Sequence, residues 1–208
     1  MRYIKKIPQT DQKLSETLLA DGWRKIKEAP NLYLSILFSI PFMILNALIS
    51  YLIIASIDNQ LAASIREIMF SGSWSITIRF DYIIYAYILI ILHEAAHLLF
   101  IPNFLKSEKT YFGIKPWGGF VFTTEPLTKG RFLLISVTPF LLISVILPVI
   151  LGLIGNLSSL IVFTVFLNAL ASSVDMLNTF LIAVQVPQGS TIVNNGFESY
   201  YVSGEPPP

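Results

Sequence analysis

Four long apolar stretches dominate this 208-residue chain and restrict the folds open to it. About 20 apolar residues are enough for a helix to cross a bilayer, and each stretch is at least that long. Pro41 lies inside the first stretch and Thr138-Pro139 interrupts the third, so irregular helices are expected there. The pattern predicts an all-α membrane protein with four transmembrane helices. The predicted spans are residues 31–56, 82–105, 132–155 and 157–186.

The composition is typical of a protein whose main partner is the lipid bilayer. Hydrophobic residues make up 54% and charged residues 13% of the chain, which is too apolar for an ordinary soluble domain. A net charge of +1 gives no reason to expect a nucleic-acid partner. Because the chain has no cysteine, it can form neither a disulfide framework nor a cysteine-ligated metal site.

The segments outside the spans carry weaker patterns. Residues 1–30 form a polar, amphipathic N-terminal segment whose apolar residues from Leu14 to Ile26 recur near helical spacing. That pattern fits a helix on the membrane surface or an ordinary solvated helix. Two aromatic-rich stretches flank a turn-rich centre over 111–123, which predicts a small β-hairpin near the membrane. A second hairpin is possible in the tail, 187–208, and residues 74–80 alternate as a strand would.

The distribution of positive charge predicts the orientation in the cell membrane. Of the 14 Lys and Arg residues, 7 lie in the N-terminal segment and 5 in the connection at 106–131. Positive residues concentrate in cytoplasmic loops of multi-pass proteins. We therefore expect both termini and the 106–131 connection to lie in the cytoplasm.

The second span carries the only two histidines of the chain, in the pattern His93-Glu94-Ala95-Ala96-His97. Residues four apart lie on one face of a helix, so both imidazoles can reach one metal ion. The Glu between them can then act as general base on a metal-bound water. Two satisfied core histidines are the alternative, but that reading leaves three costly ionisable groups in an apolar helix unexplained.

Asp175 is the one further ionisable residue well inside the spans. In the predicted topology it lies in the fourth span at a depth similar to that of His93 and His97, at 1.5 Å per residue. A catalytic zinc site takes three protein ligands and keeps one open position. Two imidazoles and this carboxylate would supply the three ligands for Zn²⁺.

A polar stripe accompanies Asp175 along its helix. The Ser and Thr members are expected to hold helices together, as small polar residues do in membranes. Asn168 in the stripe and Asn178 beside it could hold substrate backbone or orient a metal ligand. The stripe consists of Thr164, Asn168, Ser172, Asp175 and Thr179.

At the His93-Glu94-Ala95-Ala96-His97 motif and Asp175 the chain resembles the putative zincin peptidase family of small bacterial multi-pass membrane proteins. More distantly it is similar to the site-two intramembrane zinc proteases. The resemblance covers roughly residues 82–200 and implies a three-helix core, with the motif in the first core helix and the Asp ligand in the third. Site-two proteases carry Gly after that Asp, whereas Met176 follows it here.

These observations predict a membrane-embedded zinc metalloendopeptidase that hydrolyses peptide bonds of membrane or membrane-proximal protein substrates by a metal-activated water. Glu94 would be the catalytic base, and His93, His97 and Asp175 the metal ligands. An exposed edge of the 111–123 hairpin could hold the substrate as an added strand. Two alternatives stay open: a non-catalytic zinc-binding membrane scaffold or partner protein, and a small transporter or channel.

Overall fold

Long apolar helices form the centre of the structure, a computed structural model that describes residues 1–71, 80–115 and 118–204. Within those residues, three helices are long and apolar enough to cross a membrane, and a bent helix pair makes a fourth if it counts as one span. The chain thus has a mostly α-helical fold of the kind found in membrane proteins. The helices are α1 Gln12–Ala20, α2 Leu32–Ile57, α3 Asn59–Phe70, α4 Phe80–Leu98, α5 Lys129–Pro139, a π-helical stretch Phe140–Ile146, α6 Leu147–Leu153, α7 Ser159–Ala171 and α8 Ser173–Gln185.

The third apolar helix is continuous from Lys129 to Leu153 but changes its winding at the predicted interruption. The α-helical part ends at Pro139, and the π-helical stretch begins at the next residue. Proline has no N–H to donate to the preceding turn, so the regular ladder of hydrogen bonds cannot pass through it. Irregular helical turns of this kind are frequent at functional sites.

The fourth stretch, predicted as a span over 157–186, contains two helices. It breaks at Ser172 into α7 and α8, whose axes differ by 43°. Ser172 and Ser173 are adjacent at the break. Serine favours helix ends over helix interiors because its hydroxyl competes for backbone hydrogen bonds, and pairs of such residues are common at kinks. The break places Asp175 in the first turn of α8, because the preceding helix α7 has already ended.

Two small sheets lie beside the helices, and they are more extensive than the hairpins predicted. In the first sheet the order is β1-β3-β4, and in the second it is β2-β7-β6-β5. The predicted hairpin at 111–123 is confirmed by the antiparallel pairing of β3 with β4, and the tail hairpin by that of β6 with β7. The strands are β1 Arg2–Tyr3, β2 Arg24–Lys25, β3 Thr110–Lys115, β4 Gly118–Thr123, β5 Leu127–Thr128, β6 Ser190–Asn195 and β7 Glu198–Ser203.

Some predicted features fall wholly or partly outside the described residues. The strand expected at 74–80 is one of them, apart from Phe80, which begins α4. The centre of the 111–123 turn, at 116–117, is another.

The N-terminal segment is only partly the helix that its spacing predicted. Helix α1 ends at Ala20, and the chain then enters the second sheet through β2. Trp23 and Ile26 are buried by that sheet and do not continue the face of a helix: Trp23 packs with Tyr200, and Ile26 with Ile182. A positive φ of 84° at Gly22 marks the reversal.

The two sheets bring three distant polar segments together. Strand β1 pairs with β3, so the N-terminus joins the 106–131 connection. Strand β2 pairs with β7 and strand β5 with β6, so both also join the tail. The N-terminal segment, the connection and the tail therefore lie on the same side of the helices.

Candidate metal centre

Helix α4 presents both histidines to α8. His93 and His97 are four residues apart, and their Nε2 atoms lie 3.2 Å and 3.6 Å from the same Asp175 oxygen, Oδ2. Both imidazoles are 9% exposed, so they are shielded from the surroundings. One ligand atom from each of the three residues lies within 4.8 Å of the other two. The structure thus brings the three predicted ligands to one point and could hold a metal ion there.

The donor set fits zinc in both chemistry and spacing. Zinc binds imidazole nitrogen and carboxylate oxygen at about 2.0–2.2 Å, usually with tetrahedral angles. Two ligand atoms so placed lie about 3.3 Å apart, close to the two His–Asp separations found here. Three protein donors leave one position for water or substrate, as in catalytic zinc sites.

The Nδ1 atom of each imidazole, the nitrogen not directed at Asp175, contacts a hydrogen-bond acceptor from another helix. His97 Nδ1 lies 2.9 Å from the carbonyl oxygen of Ile135, which can only accept, so Nδ1 carries the proton. His93 Nδ1 lies 2.9 Å from Oδ1 of Asn168. A proton on Nδ1 leaves the Nε2 lone pair for a metal, and such outer contacts fix ring orientation in metal sites.

Glu94 lies beside the ligands and against the first sheet. A Cβ added to Gly119 of β4 would come within 2.4 Å of Glu94 Cγ and 2.9 Å of its Oε1. Only glycine therefore lets the strand pass so close to this side chain. Strand β4 is an edge strand of its sheet. β3 pairs with one side of β4, and among the described residues no strand pairs with the other side.

A cavity of about 370 Å³ opens onto the three ligands and Glu94. Residues from the helices, from β4, from the N-terminal segment and from the tail hairpin line it, including Glu28, Asn178 and Phe197. The cavity therefore reaches the side of the molecule where the N-terminal segment and the tail lie. Segments distant in sequence therefore share its lining with the three candidate ligands and Glu94.

Glu28 ties the N-terminal segment to the tail at this cavity. Its two carboxylate oxygens accept hydrogen bonds from the Ser199 backbone N–H at 2.8 Å and the Ser199 hydroxyl at 3.0 Å. Burial disfavours the charged form and raises the pKa of the Glu28 carboxyl above its usual value, against the opposing effect of the Ser199 hydrogen bonds.

The two asparagines named from the sequence both lie at the site. Asn168 contacts His93, so its position fits the ligand-orienting role considered for it, whereas Asn178 lines the cavity. The polar stripe gave a signal for Asn168. Ile135 acts through its backbone, and Gly119 through the lack of a side chain, so no side-chain pattern marks either.

Comparison with known proteins adds one finding. A family model described as putative zincin peptidase matches residues 86–191. The matched region contains the three candidate ligands, Glu94, β4 and the three helices α5, α7 and α8 whose residues contact the two histidines. No curated protein and no solved structure matches the chain.

Proposed function

The chain belongs to the putative zincin peptidase family, and from that premise we propose that it is a membrane-embedded zinc metalloendopeptidase. It hydrolyses peptide bonds of membrane or membrane-proximal proteins. The observation that carries the proposal is the convergence of two histidines and one aspartate on a cavity that also contains Glu94. Buried ionisable groups are costly among apolar helices, and a shared cation offsets that cost.

In this proposal His93, His97 and Asp175 hold Zn²⁺ through Nε2, Nε2 and a carboxylate oxygen. When bound, zinc supplies Lewis-acid chemistry, which makes water acidic near neutral pH and polarises a carbonyl group. The Glu94 carboxylate takes a proton from the attacking water and delivers it to the leaving amine nitrogen. The carboxylate is therefore unchanged at the end of the cycle, and one water molecule is consumed for each peptide bond cut.

The position of β4 supports a mode of substrate binding. A transmembrane helix keeps its amide groups hydrogen-bonded within itself, so a peptide bond must leave the helix before it can be attacked. Glu94 packs against β4 at Gly119, and the outer edge of β4 pairs with no other strand among the described residues. A peptide added to this edge as a strand would lie extended next to the proposed base.

The grouping of the polar segments supports the proposed orientation. With the N-terminal segment, the 106–131 connection and the tail in the cytoplasm, 12 of the 14 Lys and Arg residues lie on that side. The cavity then opens toward the cytoplasm, and cleavage takes place in or near the cytoplasmic half of the bilayer.

Zinc binding and cleavage, measured separately, test the proposal. The full chain is purified in detergent, and its zinc content is compared with that of His93→Ala. Cleavage is then followed in liposomes with a single-span reporter protein tagged at both ends. We expect zinc in the native chain, loss of zinc in His93→Ala, and retained zinc with cleavage reduced about 100-fold or more in Glu94→Gln.

Glu67→Gln makes the same chemical change on exposed α3, outside the cavity, and should leave both readouts as in the native chain. Native protein that binds no more zinc than His93→Ala would refute the enzyme proposal. Zinc binding without cleavage by native protein would instead favour the zinc-binding scaffold.

A further inference from the structure

The acceptors that hold the two histidines both depend on the third apolar helix. His97 is held by the Ile135 carbonyl of α5, and His93 by Asn168, whose amide is in turn bonded to the Pro139 carbonyl. One residue, Pro139, is thus connected to both imidazoles by different routes. It is fully buried and ends α5.

The first route depends on the hydrogen atom that proline lacks. In an α-helix the carbonyl of residue i accepts the N–H of residue i+4, so the Ile135 carbonyl would pair with residue 139. Position 139 is proline and has no N–H. The Ile135 carbonyl is therefore released from the helix ladder at this point, and it accepts from His97 Nδ1 at 2.9 Å instead.

The second route depends on the carbonyl oxygen of the same proline. Asn168 Nδ2 donates to the Pro139 carbonyl at 3.1 Å and to Ser144 Oγ at 2.8 Å. Ser144 Oγ donates its own proton to the Val165 carbonyl at 3.0 Å, so it is an acceptor toward Asn168. Both acceptors require the NH₂ group of Asn168 on their side, which turns Oδ1 to His93 Nδ1.

From these two routes we propose that Pro139 is the positioning residue of the metal centre. Its missing N–H orients His97 through the Ile135 carbonyl, and its own carbonyl orients His93 through Asn168, each with Nδ1 as donor and Nε2 toward Asp175. The inference rests on the proposed zinc site and adds to it the reason why the third helix carries a proline there. Pro139 itself contacts no substrate or metal; it acts through Ile135 and Asn168.

Pro139→Ala tests the inference because it restores an N–H that competes for the Ile135 carbonyl. We expect zinc affinity, measured on the full chain in detergent by competition with a chelator, to fall about 10- to 100-fold, as for other losses of an outer contact to a ligating histidine. Pro148→Ala is the matched control. Pro148 is also fully buried in the same apolar helix, where it is the second residue of α6. Its variant should bind zinc as the native chain does.

A second readout separates positioning from a general loss of packing. The chain has two histidines, so labelling histidine with ¹⁵N gives two imidazole N–H signals in the zinc-loaded protein. Both Nδ1 protons should exchange slowly with solvent in the native chain. Pro139→Ala should accelerate exchange at His97, whereas Asn168→Leu should do so at His93 and leave His97 protected.

Asn168→Leu also keeps the test decisive if Pro139→Ala fails to fold. Its control is Asn46→Leu, which removes another buried amide bonded to α7, at the Ala169 carbonyl. Zinc affinity should fall in Asn168→Leu and hold in Asn46→Leu.

Equal zinc affinity and equal proton protection in the native chain, Pro139→Ala and Asn168→Leu would overturn this inference alone. A native chain with no affinity for zinc would overturn the proposed function as well.

Discussion

Gly119 is where a single methyl group would reach the proposed catalytic base. The atoms that an added Cβ would meet belong to the Glu94 side chain and not to the backbone, so the clash falls on that side chain. Gly119→Ala should therefore leave the fold and the zinc content intact while displacing the carboxylate. A misplacement of about 1 Å at a catalytic group can cost about 100-fold in rate. We expect a loss of that order in kcat, measured with the tagged reporter in liposomes.

The control for this variant is Gly130→Ala in α5. A Cβ at Gly130 meets no atom within 4 Å, so its substitution should leave cleavage at the native rate. If Gly119→Ala cleaved as fast as Gly130→Ala, the carboxylate of Glu94 could not depend on its contact with β4, and its proposed role beside that edge would have to be revised.

The sequence predicts the location of some site residues better than that of others. His93, Glu94 and His97 could be predicted to lie close together because helix periodicity fixes which residues share a face. Asp175 could be predicted to lie near them because an unpaired carboxylate is costly in an apolar helix. The Ile135 carbonyl could not be predicted, since every residue has one and only the packing of α4 on α5 selects it.

At the scale of elements, the N-terminal segment and the tail hairpin are joined by two carboxylates with opposite properties. Burial raises the pKa of Glu28 above its ordinary value of 4.5. The hydrogen bond and ion pair with Lys25, at 2.6 Å, together with the Tyr200 hydroxyl, lower the pKa of Glu198 below the same value. The two groups should therefore respond to pH in opposite directions.

Protonated Glu28 is favoured by the folded state, so its contribution to stability is complete below the unfolded pKa and is lost as pH rises through the folded pKa. The Glu198 contribution is present above 4.5 and is lost as pH falls through the lowered folded pKa. Thermal unfolding between about pH 3 and pH 7 measures both. Relative to Glu28→Gln, the native chain should gain stability as pH falls; relative to Glu198→Gln, it should lose stability.

The Glu198 effect should be small, because the Lys25 side chain in the pair is half exposed and water screens it. The two substitutions serve as controls for each other, since both replace a carboxylate with an amide at the same junction. Parallel pH profiles in the two variants would contradict the opposite pKa shifts.

Elements could be predicted where one period holds over many residues, and less well where it does not. The first three long apolar stretches correspond to the candidate membrane helices, and the fourth corresponds to the bent pair. The stretch from Leu14 to Ile26 shows helical spacing, yet its second half lies in a sheet because pairing of β2 with β7 buries Trp23 and Ile26 there. Tertiary pairing across the whole chain decides such a case, and a local pattern does not contain it.

At the scale of the whole molecule, the sheets link segments that are separated in sequence by complete apolar helices. Strand β1 pairs with β3, and β2 pairs with β7, so the N-terminal segment joins both other polar segments. If the apolar helices span a bilayer, all three segments must lie on one side of it. An even number of spans then separates each from the next, which requires the bent pair α7 and α8 to cross the membrane together as one.

Single cysteines placed on a chain that has none can test this arrangement without background. Lys13 in α1 and Lys106 in the connection are exposed on the proposed cytoplasmic side, whereas exposed Asn156 precedes α7 at the opposite ends of the helices. In intact cells a membrane-impermeant maleimide should label Asn156→Cys and leave Lys13→Cys and Lys106→Cys unlabelled until the membrane is opened. Labelling of Asn156→Cys together with the other two would mean that the helix from Lys129 to Leu153 does not separate residue 156 from the connection. Because β5 of the connection pairs with β6 of the tail, the bent pair would then enter and leave on one side. Because Asp175 lies just past that bend, its depth and the place of cleavage would then have to be reassigned.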